Sequence, residues 1–466
     1  MSEGTIQRKW HGRRDLVIIG VVAAASLVAS CTASPNETAG SVTPSATSSS
    51  TPEPATIPQP SVPAGVPVAP ESERVDLAMP TFSDPTNISN PLFPVSDQAS
   101  VLLLGHVDGK PFRTEVTLLP ETRIIEWEGQ QVEVVVSQYN AFLGGSIEEV
   151  AYDLYAQADD GSVWYFGEDV FDLRDGALIV TEGTWLAGRD GPAAMIMPGH
   201  PQVGDVYRPE NAPGFVFEEV TVKSADESLD GPLGPIEGGM LVSELHSDGT
   251  NEDKLFAPGY GEFSTSGGGD VEALAMAVPT DGASGSMPPE LTTMSHGALA
   301  VLDATRSGNW GVASTAVSDV IAAWKTYASG DVPRLVEPLM ERTLHKLTAA
   351  VDARGSARAS SAAIETARLA YDLQLRYRPV TEIDLARLDL WAAQLIVHEA
   401  QRDTDGIAAD AFALDYVRDR IRAALDEATL ARVNTELGEI QVAVVDEEPA
   451  AAAEAALRLR QILAQL

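Results

Sequence analysis

Cysteine is almost absent: Cys31 is the only one in 466 residues. No disulfide framework can brace the fold, so its stability must come from packing. Basic side chains are scarce too, with 31 Lys and Arg against 68 Asp and Glu and a net charge of −37. That balance argues against nucleic acid as a partner, because a duplex needs a cationic footprint. Familiar catalytic signatures are missing, including the G-x-S-x-G elbow and the G-x-x-x-x-G-K-[ST] phosphate loop. The hydrophobic content is nonetheless 44%, enough for a sizeable core, and the length suits two or three domains.

The N-terminus reads as an export signal. Arg8, Lys9, Arg13 and Arg14 precede Leu16 to Ser30, a run without charge and mostly apolar. A basic segment before a hydrophobic stretch too short to span a bilayer comfortably is the pattern of a secretory signal peptide, here residues 1–30. The signal ends Leu27-Val28-Ala29-Ser30-Cys31, which resembles the bacterial lipobox. The resemblance implies cleavage before Cys31, a diacylglycerol on its sulfur, and an extracytoplasmic protein held to the cell membrane by lipid. A chance cysteine behind an ordinary signal is the alternative. Arg13-Arg14-Asp15-Leu16-Val17 also resembles, loosely, a twin-arginine export signal.

Residues 31–75 are expected to form a tether. From Thr32 to about Arg74 the chain is mostly Ser, Thr, Pro and Ala. Such a segment buries too little apolar surface to offset its ordering entropy and reads as disordered, with an end-to-end reach of about 35–40 Å. From 76 to 285 the pattern is β. Glu149–Gln157, Val163–Phe166, Ala177–Val180, Phe215–Val222, Gly239–Leu245 and Lys254–Phe256 read as strands. Asp159-Asp160-Gly161 and Asp175-Gly176 read as turns. The spacing predicts a mostly antiparallel sheet, sandwich or open barrel.

Thr280–Glu290 reads as a linker, and from 291 to 466 the period becomes helical. Ile407, Ala411, Leu414, Val417, Ile421 and Leu425 form one stripe; Leu430, Val433, Leu437, Ile440 and Val444 form another. Pro379 closes one helix, Thr381 with Asp384 resembles a capping box for the next, and Asp331-Val332-Pro333 marks another start. Seven or eight helices with short connections predict an antiparallel α-helical bundle. The expected fold is therefore α+β with two domains, each with its own core. Acidity is concentrated in the first: residues 76–290 carry a net charge of −29 and residues 291–466 a net of −7.

Asp153–Gln157 with Gly161–Asp169, then Met197-Pro198, Pro201–Arg208 and Ala257–Gly261, resemble ordered blocks of uncharacterised secreted bacterial proteins. The resemblance spans about Asn90 to Phe263 and implies a shared β fold, with no activity to carry over.

Three sets of candidate residues follow. Trp164, Phe166 and Trp185 could line an apolar or sugar-stacking ligand surface, against the alternative of plain sheet core. Glu168, Asp169, Asp172 and Asp175 form an oxygen-rich stretch that calcium could use, although EF-hand spacing is missing and a solvated hairpin face is the alternative. Beyond the signal, six histidines (His106, His200, His246, His296, His345 and His398) are scattered. His398-Glu399-Ala400-Gln401-Arg402 has Arg402 where a zinc-protease helix needs its second His, so no metal ligand is assigned. No cofactor is implied. The expected function is that of an envelope lipoprotein that binds a small molecule or an envelope protein without catalysis. A hydrolase assembled only in the fold and a calcium-binding protein are the alternatives.

Overall fold

The computed structural model describes residues 56–466, apart from 175, 176, 181, 182, 213, 215 and 268. Cys31 and the expected signal lie outside the described residues. Strands come first. They are β1 Ser100–Val107, β2 Lys110–Trp127, β3 Gln130–Leu143, β4 Ser146–Gln157, β5 Val163–Arg174, β6 Ala177–Val180 and β7 Trp185–Leu186. After them come β8 Ala194–Met197, β9 Val206–Ala212, β10 Val216–Asp230, β11 Pro235–His246, β12 Asn251–Ala257, β13 Gly261–Gly267 and β14 Asp270–Val278. Two-residue turns set the early register. Asp108-Gly109 and Glu128-Gly129 both take positive φ (50° and 72°, 50° and 76°), the backbone twist that joins antiparallel strands most tightly.

The strands form one sheet in the order β6-β5-β4-β3-β2-β1-β14-β13-β12-β11-β10-β9. Off this path, β7 and β8 both pair with β5, and β8 packs beside β9. The two ends of the path therefore meet through β8, and the sheet is a nearly closed antiparallel barrel.

Eight α-helices follow: α1 Pro289–Arg306, α2 Trp310–Tyr327, α3 Val336–Asp352, α4 Ser356–Gln374, α5 Val380–Gln401, α6 Thr404–Ile421, α7 Glu427–Val445 and α8 Pro449–Leu463. The two predicted stripes face inward: Ile407, Ala411, Leu414, Val417 and Ile421 are buried on α6, and Val433, Leu437 and Ile440 on α7. The class is α+β, with a β region followed by a helical region.

The β region keeps an apolar cluster of its own around Trp127, Trp164 and Met240, but two further clusters are shared between sheet and helices. Leu102 on β1 and Met276 and Val278 on β14 share one apolar cluster with Met294, Val301, Leu347 and Leu373 of the helices. Phe142, Ile147 and Val150 on β3 and β4 share another with Trp391, Leu414 and Leu459. Phe142 stacks on Trp391 with ring centroids 5.3 Å apart. The reason lies in the sheet itself: its strands carry apolar side chains on a face that needs covering, and the helices supply the cover.

Residues 56–75 of the expected tether are held by the fold, and residues 31–55 lie outside the described residues. Ile57 is buried in the core, Ala69 donates its N–H to Glu219, and Arg74 pairs with Asp76 at 2.7 Å. Residues 56–75 thus lie against the barrel.

Charge is also buried between sheet and helices. Arg113 on β2 meets Asp372 on α4 at 2.7 Å, and Arg420 on α6 meets Glu115 on β2 at 2.6 Å. Arg387 on α5 pairs with Asp372 and with Asp384, each at 2.9 Å. Arg420 Nε also donates to Gln138 on β3 at 2.6 Å. Burial works to raise the Glu115 carboxyl, but the Arg387, Arg113 and Arg420 charges overcome it and hold the group well below the carboxylate range. This corrects the reading of Asp384. It caps nothing: α5 begins after Pro379 without a side-chain cap, and Asp384 is a buried member of the ion network.

Removing one partner of a buried pair leaves a charge uncompensated. Arg420→Met is expected to destabilise the protein by about 3 kcal/mol or more, read from urea unfolding. A loss within error of zero would contradict the role given to this network.

Candidate functional site

The aromatic candidates do not form a surface. Trp164, Phe166 and Trp185 are all buried. Phe166 meets Trp127 edge-on at 5.7 Å, Tyr165 meets Trp185 at 5.4 Å, and Trp164 Nε1 donates to Ser162 at 2.8 Å. They are sheet core, because β5 is covered rather than solvated.

The calcium candidates do not converge either. Glu168, Asp169 and Asp172 all lie on β5, where side chains alternate, so neighbouring positions point to opposite faces. Glu168 is buried and opposes Asp153, whereas Asp169 is half-buried and pairs with Arg123 at 2.6 Å. Asp175 lies outside the described residues. A spacing of three suits neither a strand face nor a calcium loop.

The histidines separate as well. His106 contacts the Gly269 carbonyl, and His398 contacts Asp410 at 2.6 Å. The α5 helix ends at Gln401, and Arg402 is left-handed at φ 60°, so the zinc-protease resemblance stops where the helix does. Among the described residues, no histidine nitrogen is hydrogen-bonded to a serine, threonine or cysteine side chain.

What the fold does assemble is a face of buried and half-buried carboxylates on β9 to β14. Three cross-strand rows build it. In the first, Glu210 opposes Glu218, which opposes His246. In the second, Tyr207 opposes Val220, which opposes Glu244, which opposes Glu252. In the third, Val242 opposes Lys254, then Thr265, then Glu272. Val242, Glu244 and His246 alternate along β11, so all three rows share one face.

Distances within the face are short. His246 Nδ1 lies 3.4 Å from Glu218, and Nε2 lies 3.9 Å from Glu244 and 3.7 Å from Glu252. Lys254 Nζ lies 2.8 Å from Glu244 and 3.8 Å from Glu252. The Glu244 side chain is 4% exposed and the His246 side chain 28%, so the cluster runs from a deep floor to an accessible rim.

Electrostatics follow from burial. Burial and the Glu218 charge push the Glu244 carboxyl up to about 8, against the pull of Lys254 and His246. Burial together with Glu218 and Glu168 raises Glu210 well above its usual value. Burial and Glu262 push Glu272 up to about 8. Burial opposes the charged form of His246, yet the surrounding carboxylates outweigh it and raise the imidazole to about 10. The face therefore holds protons at neutral pH, an arrangement typical of binding and catalytic sites.

Sequence reasoning missed these residues because the signal is weak. Glu244-x-His246 and Glu252-x-Lys254 place charges at alternate positions inside strands, where an apolar side chain is the norm. That pattern was legible; the register joining the rows was not.

A raised carboxyl means the folded state keeps a proton the unfolded chain releases. Its contribution is complete below the ordinary carboxylate pKa and is lost as pH rises through about 8. The melting temperature is therefore expected to fall between pH 5 and pH 9. Glu272→Gln, which stays neutral beside Glu262, Glu149, Lys254 and Thr114, should flatten that fall and add on the order of 1–3 kcal/mol at pH 9. Parallel pH profiles for the two chains would contradict this. No family model matches the chain, and no curated protein is significantly similar to it.

Proposed function

We propose that the chain is a lipid-tethered envelope protein that binds a cationic ligand on the β9–β14 face and carries out no catalysis. In this reading the diacylglycerol on Cys31 holds it at the outer side of the bacterial cell membrane. The Ser/Thr/Pro-rich segment lifts the barrel away from the lipid, and the helices, an antiparallel bundle, present a surface to envelope proteins. One observation carries the binding reading: Glu210, Glu218, Glu244, Glu252 and Glu272 share a face with just two basic groups, His246 and Lys254. Keeping carboxylates out of water costs free energy, which a proton or a cation offsets. The calcium alternative moves with this reading from the contiguous β5 run to the carboxylate face, where Glu168 remains a neighbour of Glu210.

Two measurements test it. Cys31→Ala is expected to move the protein from the membrane fraction to the soluble one; unchanged partition would remove the tether from the account. Melting curves of the full chain in zinc, calcium, magnesium and spermidine, each at matched ionic strength, address the ligand. A bound cation stabilises by RT ln(1 + [L]/Kd) and discriminates among ions, whereas screening rises gradually and does not. A selective rise with at least one cation is expected, retained in Asp169→Asn and Asp172→Asn. Uniform, gradual rises with all four would contradict the binding reading.

A further inference from the structure

We propose that Glu218, Glu244 and His246 form a site for one first-row divalent transition-metal ion, with zinc as its best-matched probe. The proposal rests on the cation-binding reading and names the ion class and the ligands. One candidate ligand atom from each residue lies within 4.8 Å of the other two. In a tetrahedral zinc site with bonds of about 2.0–2.2 Å, ligand atoms stand roughly 3.3–3.6 Å apart. His246 Nδ1 and Glu218 Oε1 already meet that spacing at 3.4 Å. Glu244 Oε1 lies 3.9 Å from the other ring nitrogen, so a turn of the imidazole and a small swing of Glu244 complete the set.

Backbone pairing fixes the geometry. His246 directly opposes Glu218 on β10, and Glu244 lies two residues away on the same strand and the same face. A site carried on paired strands is held more rigidly than one on a loop. An imidazole beside two carboxylates suits zinc and its first-row neighbours; calcium prefers six to eight oxygens, and magnesium keeps its waters.

A second observation points to the same spot. The Tyr207 hydroxyl is buried and has no hydrogen-bond partner. Tyr207 opposes Val220 on the side away from Glu244, so its ring shares the face, and Glu244 is the charge it feels most. A buried orphan hydroxyl calls for a partner, and a ligand on a metal's open fourth position would supply one. Lys254 provides the counter-charge in the absence of an ion. It lies 2.8 Å from Glu244, and Glu252 at 3.8 Å offers it another partner once Glu244 turns to the metal.

The test uses the full chain, stripped with chelator and titrated calorimetrically with zinc chloride, calcium chloride or spermidine. One zinc per chain is expected, weakened at least tenfold in Glu218→Gln and in His246→Gln and unchanged in Asp169→Asn. Cobalt(II) added to the unsubstituted chain should give the intense visible bands of tetrahedral coordination, a readout independent of whether the variants fold. Zinc binding that survives His246→Gln, or cobalt spectra without those bands, would overturn the site. Saturation by calcium or spermidine but not by zinc would overturn it while leaving the cation-binding reading in place. Saturation by none of the three would overturn both.

Discussion

Glu115 lies beneath three arginines, and much of the architecture follows from how its charge is held. Arg113 comes from its own strand, Arg387 from α5 and Arg420 from α6, so the carboxylate ties the sheet to two helices at once. Asp372 and Asp384 complete the set with side chains that are at most 1% exposed. Ions buried this deeply stabilise a fold only when every partner is in place. The apolar clusters on either side make the same demand, since strand and helix residues share them. Sheet and helices are therefore expected to unfold together.

The opposite arrangement holds on β9 to β14. Between the helices and the sheet, each buried carboxylate has arginines against it. On the other face carboxylates outnumber cations, and Glu210, Glu244 and Glu272 are pushed up instead of down. The same residue type, equally buried, thus takes opposite protonation according to what faces it. One network fastens the molecule. The other stays short of positive charge, with His246 at an accessible rim, and that deficit is the physical ground for a ligand.

Local pattern made much of the fold legible. Ala177–Val180 is a strand with the bounds its turn signal suggested, and the 407–421 stripe is the buried face of α6. What local pattern could not show was which distant segments share a face. Asp384 reads as a cap because its nearest sequence neighbour of note is Thr381; only the fold brings it beside Arg387, Arg420 and Glu115. Trp164, Phe166 and Trp185 read as sheet core more readily than as a ligand surface, and the covering segments show them to be core. Glu218 and His246 are separated by a long hairpin, and no spacing rule connects them. The acidic run at 168–175 stands out because it is contiguous, yet its Glu168 reaches the carboxylate face beside Glu210, whose other members are spread over five strands.

In the proposed site, a cation held between Glu218, Glu244 and His246 completes the carboxylate face. Anomalous diffraction at the zinc absorption edge, from crystals of the full chain grown with zinc, tests it most directly. One strong peak within bonding distance of all three side chains is expected. No peak there, with zinc found only at carboxylates elsewhere such as Asp169, would contradict it.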